Sequence, residues 1–212
     1  MYYNDDDQFI RYSIIGRSGA LSFPDIPRPV EEDVETRPEG GSGVLGFLWE
    51  TVQTVLLAVV IFLLINAGFG RFRVVGQSME PNFHQGQYLV INKVIYHLRE
   101  PARGDVVVFH NPRYPRRDFI KRIIGLPGEQ VEIRRGQVFI NGQPLQEPYP
   151  VRPGTYSSPP YQLGPDEYFV LGDNRNFSSD SHSWGAVPRR NIIGKAWFCY
   201  WPPRYWQLIP SY

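Results

Sequence analysis

The sequence predicts a mostly-β domain carried behind a single N-terminal transmembrane helix. Three observations lead there. Twenty Gly and twenty Pro accompany thirteen Tyr, thirteen Phe and five Trp in 212 residues, a composition that suits short strands joined by tight turns better than a helical bundle. Residues 51–70 (TVQTVLLAVVIFLLINAGFG) carry no charge between Glu50 and Arg71; as a helix they extend about 30 Å, the thickness of a bilayer's hydrocarbon core. Beyond them, β-type runs at 72–75, 88–92, 105–110, 119–124, 131–134, 138–141, 167–171 and 192–200 alternate with turn signals such as Arg103-Gly104-Asp105, Leu126-Pro127-Gly128 and Asn141-Gly142.

Residues 1–43 hold nine acids against four arginines, interrupted by Pro24, Pro27, Pro29 and Pro38. Such a segment buries too little apolar surface to fold, and it reads as an acidic, disordered tail. Its acidic start is also unlike a secretory leader, which begins with basic residues. The anchor follows at 44–70, with its helix at about 51–70, and it is uncleaved. Core helices are seldom apolar on all faces for this length, which sets aside a buried helix of a soluble protein. The flanking charges, Arg37 on one side and Arg71 and Arg73 on the other, leave the orientation open. The β domain then occupies 71–212. Within it, residues 131–140 read as one hairpin with Gly136 in the turn. Residues 143–166, with seven prolines in 24 positions, read as a surface excursion.

Composition also excludes functions. A net charge of +1 and no basic run longer than two residues give no field for nucleic acid. A single cysteine, Cys199, forbids an internal disulfide and reads as a small buried strand residue. No two of the four histidines lie within ten residues of each other, so no short-range zinc pattern arises, and no metal or other cofactor is expected.

Two residues carry the chemistry. Ser78 sits in Gly76-Gln-Ser-Met-Glu-Pro81, where Gly76 leaves the backbone bare for a substrate's main chain and Pro81 biases Glu80 towards an extended conformation. An ordinary strand-to-turn junction reads the same way. Lys121 lies in Asp118-Phe-Ile-Lys-Arg-Ile-Ile124; strand alternation puts it between Phe119 and Ile123 on one face. Burial there disfavours the ammonium, and a shift to near pKa 7 amounts to roughly 4–5 kcal/mol. A neutral lysine can take the proton of a serine hydroxyl. The plainer reading is that Lys121 or Arg122 pairs with a surface acid. A third cluster, residues 171–185 (LGDNRNFSSDSHSWG), packs glycine, carboxylate, amide and hydroxyl groups into one loop after a β run, as a rigid support for a site requires.

Taken together and in this order, the transmembrane run, Gly76-Gln-Ser-Met-Glu-Pro81, Arg103-Gly-Asp-Val-Val-Val-Phe109, Phe119-Ile-Lys-Arg-Ile-Ile-Gly-Leu-Pro-Gly-Glu129, Gly172-Asp-Asn-Arg175 and Ser178-Ser-Asp-Ser-His-Ser-Trp-Gly185 resemble the type I signal peptidases over residues 50–202. These are membrane-bound serine endopeptidases of serine/lysine-dyad type with an antiparallel β domain. The Asp-Ser-His-x-Trp-Gly form resembles cyanobacterial and plastid members most. The resemblance implies that Ser78 is the nucleophile and Lys121 the general base, that Ser178 hydrogen-bonds and orients the lysine, and that the Ser78 N–H donates to the oxyanion. Asp180 would brace the site with His182, and Gly172 and Asp173 would support it. Two positions depart from the family pattern. Gly76 stands where some members carry a serine whose hydroxyl completes the oxyanion hole, and loss of such a donor costs roughly 3 kcal/mol. His182 stands where many carry arginine, which makes the Asp180 pairing depend on pH.

The implied substrates are signal peptides of exported pre-proteins, cut after small residues of Ala-x-Ala type. The implied partners are these peptides, the lipid bilayer and the translocation machinery. The chain would be a single-pass protein of the plasma or thylakoid membrane, with its catalytic domain on the outer or lumenal side. Two rivals remain at this stage. One is a cytosolic self-cleaving regulator with serine/lysine chemistry, which the anchor argues against. The other is a non-catalytic, membrane-anchored β domain that binds extended peptides at a sheet edge.

Overall fold

The computed structural model describes residues 43–212; the expected acidic tail, apart from Gly43, lies outside the described residues. Helix α1 (Val44–Gly68) is apolar on every face, with a mean hydropathy of 2.2 over its most apolar stretch, and none of that stretch is buried in the protein. It starts seven residues before the uncharged run, because Val44-Leu-Gly-Phe-Leu-Trp49 extends the apolar pattern and Glu50 interrupts it only once. A helix with no polar stripe satisfies its backbone internally and suits an apolar solvent, which supports a membrane anchor.

Strand β1 (Phe69–Arg73) follows α1 without a linker. The succeeding elements are β2 (Tyr88–Asn92), α2 (Ile95–Leu98), β3 (Val106–His110), β4 (Asp118–Gly125), β5 (Gln130–Arg134), β6 (Gln137–Ile140), β7 (Gln143–Pro144), β8 (Ser158–Gln162), β9 (Glu167–Leu171), α3 (Ser181–Trp184), β10 (Val187–Pro188), β11 (Ile192–Trp201) and β12 (Gln207–Leu208). The larger sheet runs β1-β2-β11-β3-β4-β9-β10, with β12 added to β11; the smaller runs β7-β6-β5-β8. Every strand pair in both is antiparallel. The fold is thus mostly β behind one apolar helix.

Alternation in β4 decides what lies on each side of the large sheet. Ile120 joins one core with Leu89, Val106 and Met79, Ile123 a second with Phe109 and Val170, and Ile124 a third with Val131, Ile133 and Leu171. The hairpin at 131–140 is β5–β6, and its turn residues Arg135 and Gly136 have φ of 49° and 82°, the left-handed pair that a two-residue hairpin favours. A Cβ on Gly136 would lie 1.9 Å from the Gly154 carbonyl oxygen. The Pro-rich stretch is more than a surface excursion. It supplies β7 and β8, and it sends Tyr149 and Leu163 into the third core, where proline's missing N–H is harmless because β7 and β8 are both edge strands. Cys199 is buried in β11.

Candidate active site

Ser78 lies where β1 leaves the sheet. Val74 is still held to the next strand's approach, its N–H donating to Gln87 O at 2.8 Å and its carbonyl accepting from Gly86 N at 2.9 Å. Gly76 then takes φ +85°, with nothing within 4 Å of where a Cβ would point. Glycine adopts this left-handed angle freely, and a serine here would be strained. Asn174 fixes the turn from the other side: its N–H donates to Ser78 O at 3.0 Å and its side-chain amide to Gln77 O at 3.1 Å.

Lys121 enters from β4, opposite Val107 of β3, and is 4% exposed. Its Nζ is 2.6 Å from Ser78 Oγ and 5.6 Å from the Phe119 ring centroid. Burial lowers the ammonium's pKa from 10.5 to about 8, against the opposing pull of the Asp180 and Asp173 carboxylates. That is less than the fall to near 7 expected from an apolar pocket alone, because two acids sit close enough to favour the charge.

The next residue, Arg122, is buried too, and it is the member of the pair that finds an acid. Its Nε and Nη2 donate to Asp173 Oδ1 and Oδ2 at 2.8 and 2.7 Å, and its guanidinium stacks 3.8 Å from the Tyr149 ring centroid. Asp173 Oδ2 also accepts from Asn82 Nδ2 at 2.7 Å. Asp173 therefore holds the loop to β4 rather than meeting Ser78 or Lys121 by a hydrogen bond.

Gly172 is set by space. A Cβ there would fall 2.2 Å from Ser178 Oγ and 2.5 Å from Ser78 O, so only glycine lets the loop approach the serine this closely. The Gly172 N–H donates to Asp180 Oδ2 at 2.9 Å. The other oxygen of Asp180, fully buried, is 2.6 Å from His182 Nδ1, and His182 stacks on Tyr156 with centroids 4.2 Å apart. The Asp180–His182 contact is thus present, with Tyr156 of the Pro-rich stretch behind it. Ser178 differs from expectation: its hydroxyl is buried beside Gly172 but has no hydrogen-bond partner, and none reaches Lys121.

These residues open on a cavity of about 540 Å³ lined by Phe72, Val75, Gly76, Ser78, Phe119, Ile120, Lys121 and Phe177 among others. Its two banks are unpaired strand edges. β1 is the outer strand of its sheet, and β9 pairs with β4 only from Arg122 to Gly125, which leaves residues 118–121 free on that side. Asn174 and Asn82 are the site residues that sequence reasoning missed, and Arg122 is one that it reads only as pairing with a surface acid, where the acid found is the buried Asp173. Asn174 stood inside the Gly-Asp-Asn-Arg motif with no role assigned, while nothing local marks Asn82.

A family model described as signal peptidase, peptidase S26, matches residues 48–201. The chain belongs to this family. It is 40% identical over 174 residues to a probable signal peptidase I-1 of Synechocystis, covering 78% of this chain and 89% of that one. It is also 40% identical over 194 residues to a signal peptidase I of Leptolyngbya laminosa, covering 87% and 93%. With thylakoidal processing peptidase 1 of Arabidopsis thaliana it shares 35% over 188 residues, 82% of this chain and 55% of that protein. Family membership makes the chain a peptidase, and the groove beside Ser78 and Lys121 is its candidate active site.

Proposed function

We propose that the protein removes signal peptides from exported pre-proteins by cutting after an Ala-x-Ala sequence, through a Ser78 acyl-enzyme with Lys121 as general base. The single observation that carries this reading is the 2.6 Å separation of Ser78 Oγ and Lys121 Nζ at the head of a groove with two free strand edges. In its neutral form Lys121 accepts the Ser78 proton as Oγ attacks the scissile carbonyl; the ammonium then gives that proton to the leaving amine. A water enters, Lys121 accepts its proton in turn, the hydroxide attacks the ester, and as the intermediate collapses the Lys121 ammonium returns that proton to Oγ, releasing the new C-terminus and restoring Ser78 and the neutral lysine. The Ser78 N–H faces the developing oxyanion, and with glycine at position 76 the second donor is backbone or water. Gly172, Asp173, Asp180 and His182 position this pair and do not touch the reacting atoms, while Ser178 Oγ accepts from the Lys121 ammonium once it forms.

A substrate held between the two edges is extended, so its first and third residues before the cut project to one side of the groove. Phe72 and Ile120 line that space and leave room only for small side chains. The anchor α1 spans the membrane once, with residues 71–212 on the outer or lumenal side, beside the translocation machinery that delivers the substrate. The test is cleavage of a synthetic pre-protein bearing an Ala-x-Ala site by detergent-solubilised protein. Cutting after the second alanine by wild type, and not by Ser78→Ala or Lys121→Ala, is the expected result. No cutting by folded wild type overturns the proposal.

A further inference from the structure

We propose that the far end of the groove is a cationic subsite, built from Arg73 and Arg117, for an acidic side chain four or five residues before the cut; the inference rests on the peptidase reading above. The two arginines come from opposite banks. In the sheet, β1 and β4 are separated by β2, β11 and β3, yet the sheet curls so that Arg73 at the end of β1 and Arg117 just before β4 line the same cavity as Ser78 and Lys121. Both strands run towards the serine. An extended chain inserted between their free edges therefore pairs parallel to both and advances about 3.3 Å per residue. Arg117 precedes Lys121 by four positions along an extended stretch, and Arg73 ends β1 on the facing bank of the same cavity, so a substrate residue four or five steps from the scissile bond lies between them.

Which side of the bond this is follows from the anchor. α1 passes directly into β1, so the groove leads from Ser78 back to the membrane. The apolar segment of a signal peptide precedes its cleavage site and occupies that membrane. The subsite therefore reads residues on the N-terminal side of the cut.

Among the described residues neither arginine makes an ion pair. Each guanidinium instead lies near a tyrosine ring, Arg73 at 5.8 Å from the Tyr88 centroid and Arg117 at 5.9 Å from that of Tyr114. Asp118 is the one carboxylate lining the cavity, and its Oδ1 is engaged at 2.7 Å by His110 Nδ1. Two free cations thus face one occupied anion across a space that an extended peptide must cross. An acidic side chain there is attracted and a basic one repelled.

The test uses the full chain in detergent and three peptides that share an Ala-x-Ala site and carry Glu, Gln or Lys at the fifth residue before the cut, with a second set varied at the fourth. Wild type is expected to cleave in the order Glu, Gln, Lys, with about a threefold fall in kcat/KM at each step that shrinks in 1 M salt. In Arg73→Gln/Arg117→Gln the Glu-to-Lys ratio falls to about one, and in Arg73→Glu/Arg117→Glu it inverts. Affinities of the same peptides for Ser78→Ala report the preference without chemistry. If that variant binds Glu over Lys while wild type cuts nothing, the subsite stands and the peptidase reading falls. Equal handling of the three peptides in both sets, in cleavage or in binding, overturns the subsite.

Discussion

Ser78 and Lys121, 43 positions apart in the chain, meet at 2.6 Å because one follows the outermost strand of the large sheet and the other closes the free stretch 118–121 of β4. The proposed general base must be neutral to act, and Lys121 has its pKa lowered to about 8. The expected kcat/KM therefore rises with pH through that value and levels off above it. Since the Asp180 carboxylate holds the lysine's pKa up, Asp180→Asn should move the limb towards lower pH. A pH–rate profile of both proteins checks the prediction, and an unmoved limb argues that another group titrates.

The same burial has a stability consequence. Folding takes Lys121 from a pKa of 10.5 to about 8, so below pH 8 the folded state holds the charge at a cost on the order of 3 kcal/mol. Between about 8 and 10.5 the unfolded chain binds more protons than the folded one, and stability rises with pH over that window. Lys121→Met keeps the volume and removes the cost. It should abolish cleavage yet melt several degrees higher than wild type at pH 7, with the gap narrowing at pH 10.

Much of this fold is legible from local pattern. The membrane helix follows from a run of apolar residues, and the β5–β6 hairpin from Arg135-Gly136 between alternating strands. The site is less so. Ser78 and Lys121 share no local signature, and alternation along β4 shows only that the lysine faces apolar neighbours. What brings them together is the curl of a sheet in which β2, β11 and β3 lie between β1 and β4, a pairing of distant segments that no window of sequence contains. Their association was readable only because four motifs in order resemble a known family. The Arg122–Asp173 pair, 51 positions apart, was hidden for the same reason, and a buried arginine beside a buried lysine runs against every compositional expectation.

Arg122 and Asp173, both nearly inaccessible, form the ion pair that ties the Gly172–Arg175 loop to β4. Removing one partner leaves an uncompensated buried charge, at about 3–5 kcal/mol. Arg122→Met should therefore destabilise strongly, while Arg122→Met/Asp173→Leu recovers a large part of the loss. Because the Asn174 side-chain amide also holds Gln77 O next to Ser78, Asn174→Ala, which keeps the backbone bond to Ser78 O, should lower kcat with little change in melting temperature. Denaturant unfolding and steady-state kinetics on the four proteins separate these effects.

Ser178 and Gly172 make the sharpest local contrast in the site. The Ser178 hydroxyl is buried without a partner, which costs about 1–3 kcal/mol, so stability alone would favour alanine. As Ser78 gives up its proton, the Lys121 ammonium needs a new acceptor, and Ser178 Oγ is the unsatisfied oxygen in that loop. Ser178→Ala should raise the stability by about 1 kcal/mol while lowering kcat about tenfold or more and leaving KM nearly unchanged, the pattern of an interaction made only as charge develops. Gly172→Ala tests the space itself. Its new methyl meets Ser178 Oγ and, at 2.5 Å, the backbone oxygen of Ser78, so the nucleophile must shift and activity should fall at least about a hundredfold. Trimming Ser178 in the same chain relieves the first clash and leaves the second, so Gly172→Ala/Ser178→Ala should stay as inactive as Gly172→Ala; a double variant that recovers would place the critical contact at Ser178 instead of at the nucleophile's backbone.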